Sequence, residues 1–235
     1  MRIIIEYLGQ TWDDLGGVGG SFSNHFRGCS KNFENSDFQK LKVGLNRSEI
    51  KDLSTKPGII KMSKSNLYTG ILRNQTGSTT VAATLIACKF FGLEFFATGG
   101  IGGVHRNIGE LDISADLFEL ANANCTVVCS GPKAILDIPK TIEVLEAFGI
   151  PVITYKHNQI PSFWSRDSKI NSTIVSHNVE EIAEMHNLRN PDKLAISVLL
   201  TPEASPELGD SWRYRGPQDW QLHRPIWELL QLYVN

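Results

Sequence analysis

Four glycines fall within the six positions from Thr98 to Gly103, in Thr98-Gly-Gly-Ile-Gly-Gly-Val-His105-Arg106. Glycine in a helix or strand interior costs about 0.5–1 kcal/mol, so packing does not explain the cluster. The backbone there must take positive φ or come close to something. Asp112, Ser114 and Asp116 follow directly. Bare backbone, basic groups and carboxylates in one loop point to an anion site beside a divalent-cation site. Asp112 has two readings: an oxygen ligand to such a cation, or the cap of the next helix with Asp116 complementing its dipole. His105 and Arg106 are either phosphate binders or a polar loop. Lys133 sits in a Ser-Gly-Pro-Lys turn after the apolar run Cys125–Cys129. A lysine there is either a desolvated amine available as a nucleophile, or a solvated or phosphate-holding one. Lys61 closes an Ile-Ile-Lys run, where a solvated strand end is the simpler reading.

These residues need elements to hold them. Ile59–Met62, Glu94–Thr98, Cys125–Cys129 and Pro151–Tyr155 read as strands, and Leu41–Leu45 as a shorter one. Ser48–Leu53 reads as a short helix with Asn46 or Ser48 as cap. Thr79–Phe91 is Ala-rich, apolar on nearly every side and stopped by Gly92, so it reads as a buried helix. Helices are also expected from Leu117 and from Pro139 to Gly149, with a helical turn at Ala134–Ile138. Alternation of this kind predicts an α/β fold, a largely parallel sheet flanked by helices in an α/β/α sandwich. Ligands in such sheets lie beyond the carboxyl ends of the strands, where Thr98 and Lys133 fall. Residues 1–40 read as irregular; Gly16–Gly20 has no strand before it or helix after it.

Composition bounds the classes. The 235 residues are 41% hydrophobic and 20% charged with a net charge of −2, as expected for one globular domain. That balance disfavours nucleic-acid and membrane-surface binding. No apolar run reaches a membrane span, and Glu6 interrupts the opening one, so neither a signal peptide nor a membrane anchor is expected. Cys29, Cys88, Cys125 and Cys129 lack metal-ligand spacing and read as small core residues in a reducing compartment.

The runs Gly77–Thr84, Ala97–Arg106 and Asp112–Leu120 are similar to one family. Val127–Asp137, Thr141–Glu146, Phe163–Ser168 and Glu180–Ala183 extend the likeness, and Lys42–Leu45 and Lys61–Leu67 fit its earlier segment. The chain resembles pseudouridine-5'-phosphate glycosidases, a group that includes indigoidine-synthase-A-like proteins. The likeness covers roughly residues 41–208, leaving 1–40 as a divergent segment and 209–235 as an atypical tail. It implies reversible cleavage of the C–C bond between ribose C1′ and uracil C5, giving uracil and ribose 5-phosphate through a lysine imine. Lys133 matches the lysine, and His105 a polar residue lining the site. Asp112 matches the ligand of a divalent metal, usually Mn2+. Ser114, Ala115 and Asp116 match a substrate-binding triplet, Lys61 a substrate-binding lysine and Val81 a substrate-contacting backbone position. Thr98, where the strand enters the glycine loop, joins the substrate-binding set. The resemblance further implies a cytoplasmic or organellar enzyme, a homo-oligomer, with a trimer suggested, and small-molecule partners only.

Two departures stand beside the likeness. The family's glutamate in an Ala-Leu-Glu-Ser-Thr-like strand has no counterpart, Glu6 being a superficial one. Ser211-Trp-Arg-Tyr-Arg-Gly-Pro217 stands where an asparagine to the uracil is expected. Both ends are therefore expected to be truncated or substituted, and a relative that binds sugar phosphate and metal with impaired turnover is the alternative.

Overall fold

The computed structural model describes residues 3–4, 55–106, 111–163, 165, 168–188 and 198–202. The strand read at Leu41–Leu45, the helix at Ser48–Leu53, Glu6 and Gly16–Gly20 lie outside them. The chain divides into two compact units, residues 1–87 and 88–235.

The first unit carries a three-stranded parallel sheet in the order β1 (Ile3–Ile4), β3 (Gly77–Thr79), β2 (Ile60–Met62). Ile3–Ile4 therefore corrects the reading of residues 1–40 as irregular throughout. Helix α1 (Lys64–Leu72) follows β2 and had no clear apolar stripe to announce it. Its ends are nonetheless written locally. Asn66 Oδ1 accepts from Ser63 N at 2.7 Å at the start. Asn74, at φ 55°, ends it, with Asn74 N bonded to Ile71 O and Gln75 N to Gly70 O.

Helix α2 (Val81–Phe91) begins two residues later than its sequence suggests, because Gly77–Thr79 is a strand. Gly77 packs so tightly on Met62 that a Cβ there would lie 2.3 Å from its Cγ, which only glycine permits. Thr80 then caps the helix, its hydroxyl accepting from Ala83 N at 3.3 Å. Gly92, at φ 65°, stops it as expected.

The second unit holds a five-stranded sheet, all parallel, in the order β4 (Phe95–Ala97), β5 (Thr126–Val128), β8 (Val198–Pro202), β6 (Val152–Tyr155), β7 (Ile174–Ser176). Every residue of β5 and of β6 is buried, so the sheet is covered on both faces, as parallel sheets are. Helices α3 (Ala115–Asn122), α4 (Ile138–Ala147) and α5 (Val179–Leu188) complete the α/β fold. Val128, Ile153 and Tyr155 pack against Val179 and Ile182 of α5. Leu117 and Leu120 of α3 and Leu145 of α4 are fully buried. Asp137 caps α4, with Pro139 in its first turn, and Gly149 ends it at φ 68°. Cys88, Cys125 and Cys129 are free and buried, as read. No described helix is long and apolar enough to cross a membrane.

Candidate functional site

Strands β4 and β5 end side by side, and the chain beyond each continues the pairing. Thr98 N donates to Val128 O at 2.9 Å, Ser130 N to Gly99 O at 2.9 Å, Ile101 N to Gly131 O at 3.1 Å and Lys133 N to Ile101 O at 3.0 Å. The glycine loop and the Lys133 turn are thus one ladder extending past the carboxyl edge of the sheet. Gly131 makes the turn possible. Its φ is 81°, and a Cβ there would stand 2.6 Å from Pro161 O.

The glycines of the loop admit the protein's own side chains. None of Gly100, Gly102 and Gly103 takes a positive φ. A Cβ on Gly102 would lie 2.2 Å from Ser114 Oγ and 2.7 Å from Asp116 Oδ2, and one on Gly103 2.4 Å from Thr141 Oγ1. Gly102 N donates to the buried Asp116 carboxylate at 2.7 Å and Val104 N to Thr141 Oγ1 at 3.0 Å. Ile101 N is also spent on Gly131 O, so these three N–H groups serve the fold.

Helix α3 is capped by Ser114, not by Asp112: Ser114 Oγ accepts from Asp116 N at 3.2 Å. The capping alternative for Asp112 therefore falls. The Ser114 hydroxyl hydrogen has no acceptor among the described residues, so it remains able to donate. Ala115 is half-buried at the first helical position. Asp112 is half-exposed, with Oδ2 at 3.9 Å from His105 Nδ1. Their backbones also meet, His105 N donating to Asp112 O at 2.9 Å. No three His, Cys, Asp or Glu side chains converge into a metal cage among the described residues. One hard carboxylate at the surface fits a cation that keeps most of its water, and does not fit zinc.

Arg106 departs from the phosphate reading. Its Nε donates to Leu136 O at 2.8 Å and a terminal nitrogen to Ala134 O at 3.0 Å, so it braces the chain just after Lys133. Lys133 is half-buried, and among the described residues its Nζ has no hydrogen-bond or ion-pair partner. Cys129, four residues before it, is sealed in the core. Burial pushes its thiol up to about 12, outweighing bonds from the backbone at Gly131 and Ile101, so it is no competing nucleophile. Thr98 is buried at the loop entrance. Lys61 and Val81 belong to the first unit. Lys61 is exposed in β2, and Val81 buries its side chain at the start of α2, leaving only its backbone to meet a ligand.

Two contributors were not legible. Thr141 bridges Val104 N and Asp137 O, the latter at 2.7 Å. Phe163 donates from its N–H to Ser130 O at 3.1 Å. Glycines mark where something approaches closely; they do not say what.

A family model described as indigoidine synthase A like protein matches residues 39–208. The pseudouridine-5'-phosphate glycosidase of Jannaschia sp. (strain CCS1) is 45% identical over 152 residues, 64% of this chain and 50% of that protein. The protein of the same name from Paracoccus denitrificans (strain Pd 1222) is 43% identical over 171 residues, 72% of this chain and 56% of that protein. The chain thus spans about half the length of the curated relatives it matches. Among solved structures, the prealnumycin C-glycosynthase in complex with ribulose 5-phosphate superposes with a TM-score of 0.66 at 28% identity, covering 82% of this chain and 71% of that one. An indigoidine synthase A-like protein from Thermotoga maritima gives 0.64 at 25% identity, covering 81% and 70%.

Proposed function

Because the chain belongs to the indigoidine synthase A-like family, we propose that it acts on pseudouridine 5'-phosphate, breaking the C1′–C5 bond reversibly through an imine on Lys133. Carbon is a poor leaving group, and protonating an ether oxygen alone does not expel it. An amine changes this. Nζ of Lys133, as the neutral amine, displaces the ring oxygen O4′ from C1′, and a proton passes from Nζ to O4′, which restores the nitrogen lone pair. The nitrogen lone pair then drives out the uracil carbon as a proton reaches C5, leaving an imine at C1′. Water hydrolyses the imine to the aldehyde of ribose 5-phosphate and frees the lysine. The observation that supports this reading is the ladder that carries Lys133 beside the glycine loop beyond the ends of β4 and β5.

The other roles are those the family resemblance implies. Ser114 offers its hydroxyl hydrogen, and Asp116 holds Gly102 in place while Ala115 starts α3. Thr98 in the second unit, and Lys61 and the backbone at Val81 in the first, keep the substrate-binding roles that the resemblance implies. His105 serves as a polar group at the site. Asp112 would hold Mn2+ or a similar cation, whose chemistry is to neutralise charge beside the sugar phosphate.

Borohydride added with ribose 5-phosphate should fix one sugar on Lys133, read by peptide mass, and nothing in Lys133→Ala. Label on another lysine, or undiminished label in the variant, overturns the proposal. The alternative reading is sugar-phosphate binding with impaired turnover. Incubation with pseudouridine 5'-phosphate and manganese separates the two: labelled Lys133 without free uracil supports the second.

A further inference from the structure

Phe163 is a bulky residue held at φ 67°, a region that side chains of its kind rarely enter. Such a conformation persists only when the surroundings fix it, and it gathers at functional sites. The surroundings here are specific. Gln159 and Asn171 bridge the base of the loop, and Ser162 N donates to Ser165 O at 2.8 Å around Phe163 itself. The Phe163 N–H reaches Ser130 O in the Lys133 turn. Its ring lies on the backbone of Gly100, where a Cβ would come 2.5 Å from the ring, and Pro161 O closes on Gly131. One strained residue therefore touches both strands of the ladder.

We infer that Phe163 is a positioning residue, whose ring and N–H hold the glycine loop and the Lys133 turn in register. Its role toward the amine rests on the reading of Lys133 as the nucleophile. Its mechanical role does not. Phe163→Gly isolates the ring, because glycine accepts this φ and keeps the N–H. In the full chain this variant should trap ribose 5-phosphate on Lys133 about tenfold to a hundredfold more slowly at saturating sugar, the scale expected of a misplacement near 1 Å. The concentration for half-saturation should stay near that of the parent. Amide exchange at Ile101 and Lys133, the N–H groups that cross-link the two segments, should accelerate while that of β6 is unchanged.

A second variant tests the contact from the other side. Gly100→Ala should slow trapping in the parent and do much less harm in the Phe163→Gly background, where the ring atoms are gone and Gly131 O, at 3.0 Å, is the close neighbour left. Unchanged exchange at Ile101 and Lys133 in Phe163→Gly overturns the inference, as does equal harm from Gly100→Ala in both backgrounds. If the parent itself fails to trap while exchange loosens as expected, the lysine reading falls and the positioning role stands.

Discussion

Gly102→Ala is the most informative single change. The added methyl carbon would lie 2.2 Å from Ser114 Oγ, 2.6 Å from Ser114 Cβ and 2.7 Å from Asp116 Oδ2. Ser114 Cβ is bonded to the backbone of a helix cap, so relief requires the loop or the start of α3 to move. Movement strains two bonds. The hydrogen bond from Gly102 N to a buried carboxylate is worth about 1.5–3 kcal/mol, and the Ser114 cap about 1 kcal/mol. A loss of about 2.5–4 kcal/mol is therefore expected, and with about 2–4 °C per kcal/mol at this chain length the Tm should fall by about 5–16 °C. Thermal and urea unfolding followed by circular dichroism would measure it. The double variant Gly102→Ala/Ser114→Gly removes both Ser114 atoms at a cap cost of only a few tenths of a kcal/mol, so it should recover most of the loss. If Gly102→Ala unfolds within about 1 kcal/mol of the parent, the close approach does not shape the loop as argued.

Other perturbations probe separate links. Thr141→Val keeps shape but orphans the buried Val104 N–H, so urea unfolding should show a loss of about 1–3 kcal/mol; a change below about 0.5 kcal/mol, the ordinary scatter of surface substitutions, would refute the bridge. Arg106→Ala should leave binding of ribose 5-phosphate by calorimetry close to that of the parent while loosening amide exchange at Leu136, and a large loss of affinity would restore the phosphate reading. Asp112→Asn should weaken Mn2+ binding in calorimetry, and unchanged affinity would remove it as the ligand. Cys129 keeps its proton in the folded chain to about pH 12 but loses it from about pH 9.0 when unfolded. The unfolded state then binds fewer protons, so its contribution to stability is full below that lower value and is lost as pH rises through the window; Cys129→Ala should flatten that part of the profile, and an unaltered slope would count against it.

Much of the fold was legible because its apolar runs are short, buried and bounded by glycine and proline. Cys125–Cys129 could only be a covered strand, and Thr98 and Lys133 had to leave the sheet at its carboxyl edge. What was hidden depended on contacts across the sequence. The partners of Gly100, Gly102 and Gly103 are Phe163, Ser114 with Asp116, and Thr141. No local pattern links these positions. Gly77–Thr79 reads as the lead-in to a helix because nothing nearby says that Met62 must lie against Gly77. The role of Arg106 was equally opaque, since a guanidinium beside a glycine loop looks the same whether it meets a phosphate or a carbonyl.

The last described strand occupies the middle of the larger sheet. β8 pairs with β5 on one side, Thr126 opposite Val198, and with β6 on the other, Val152 opposite Leu199. A growing chain therefore makes β4, β5, β6 and β7 long before the element that joins them exists. Until Val198–Pro202 emerges, β5 and β6 each present an open edge in a state that cannot yet close. Closure then demands a contact between distant parts of the chain, which is slow. Synthesis halted before Val198 should yield an aggregating product, and release of β8 from the ribosome should be the event that makes the second unit soluble.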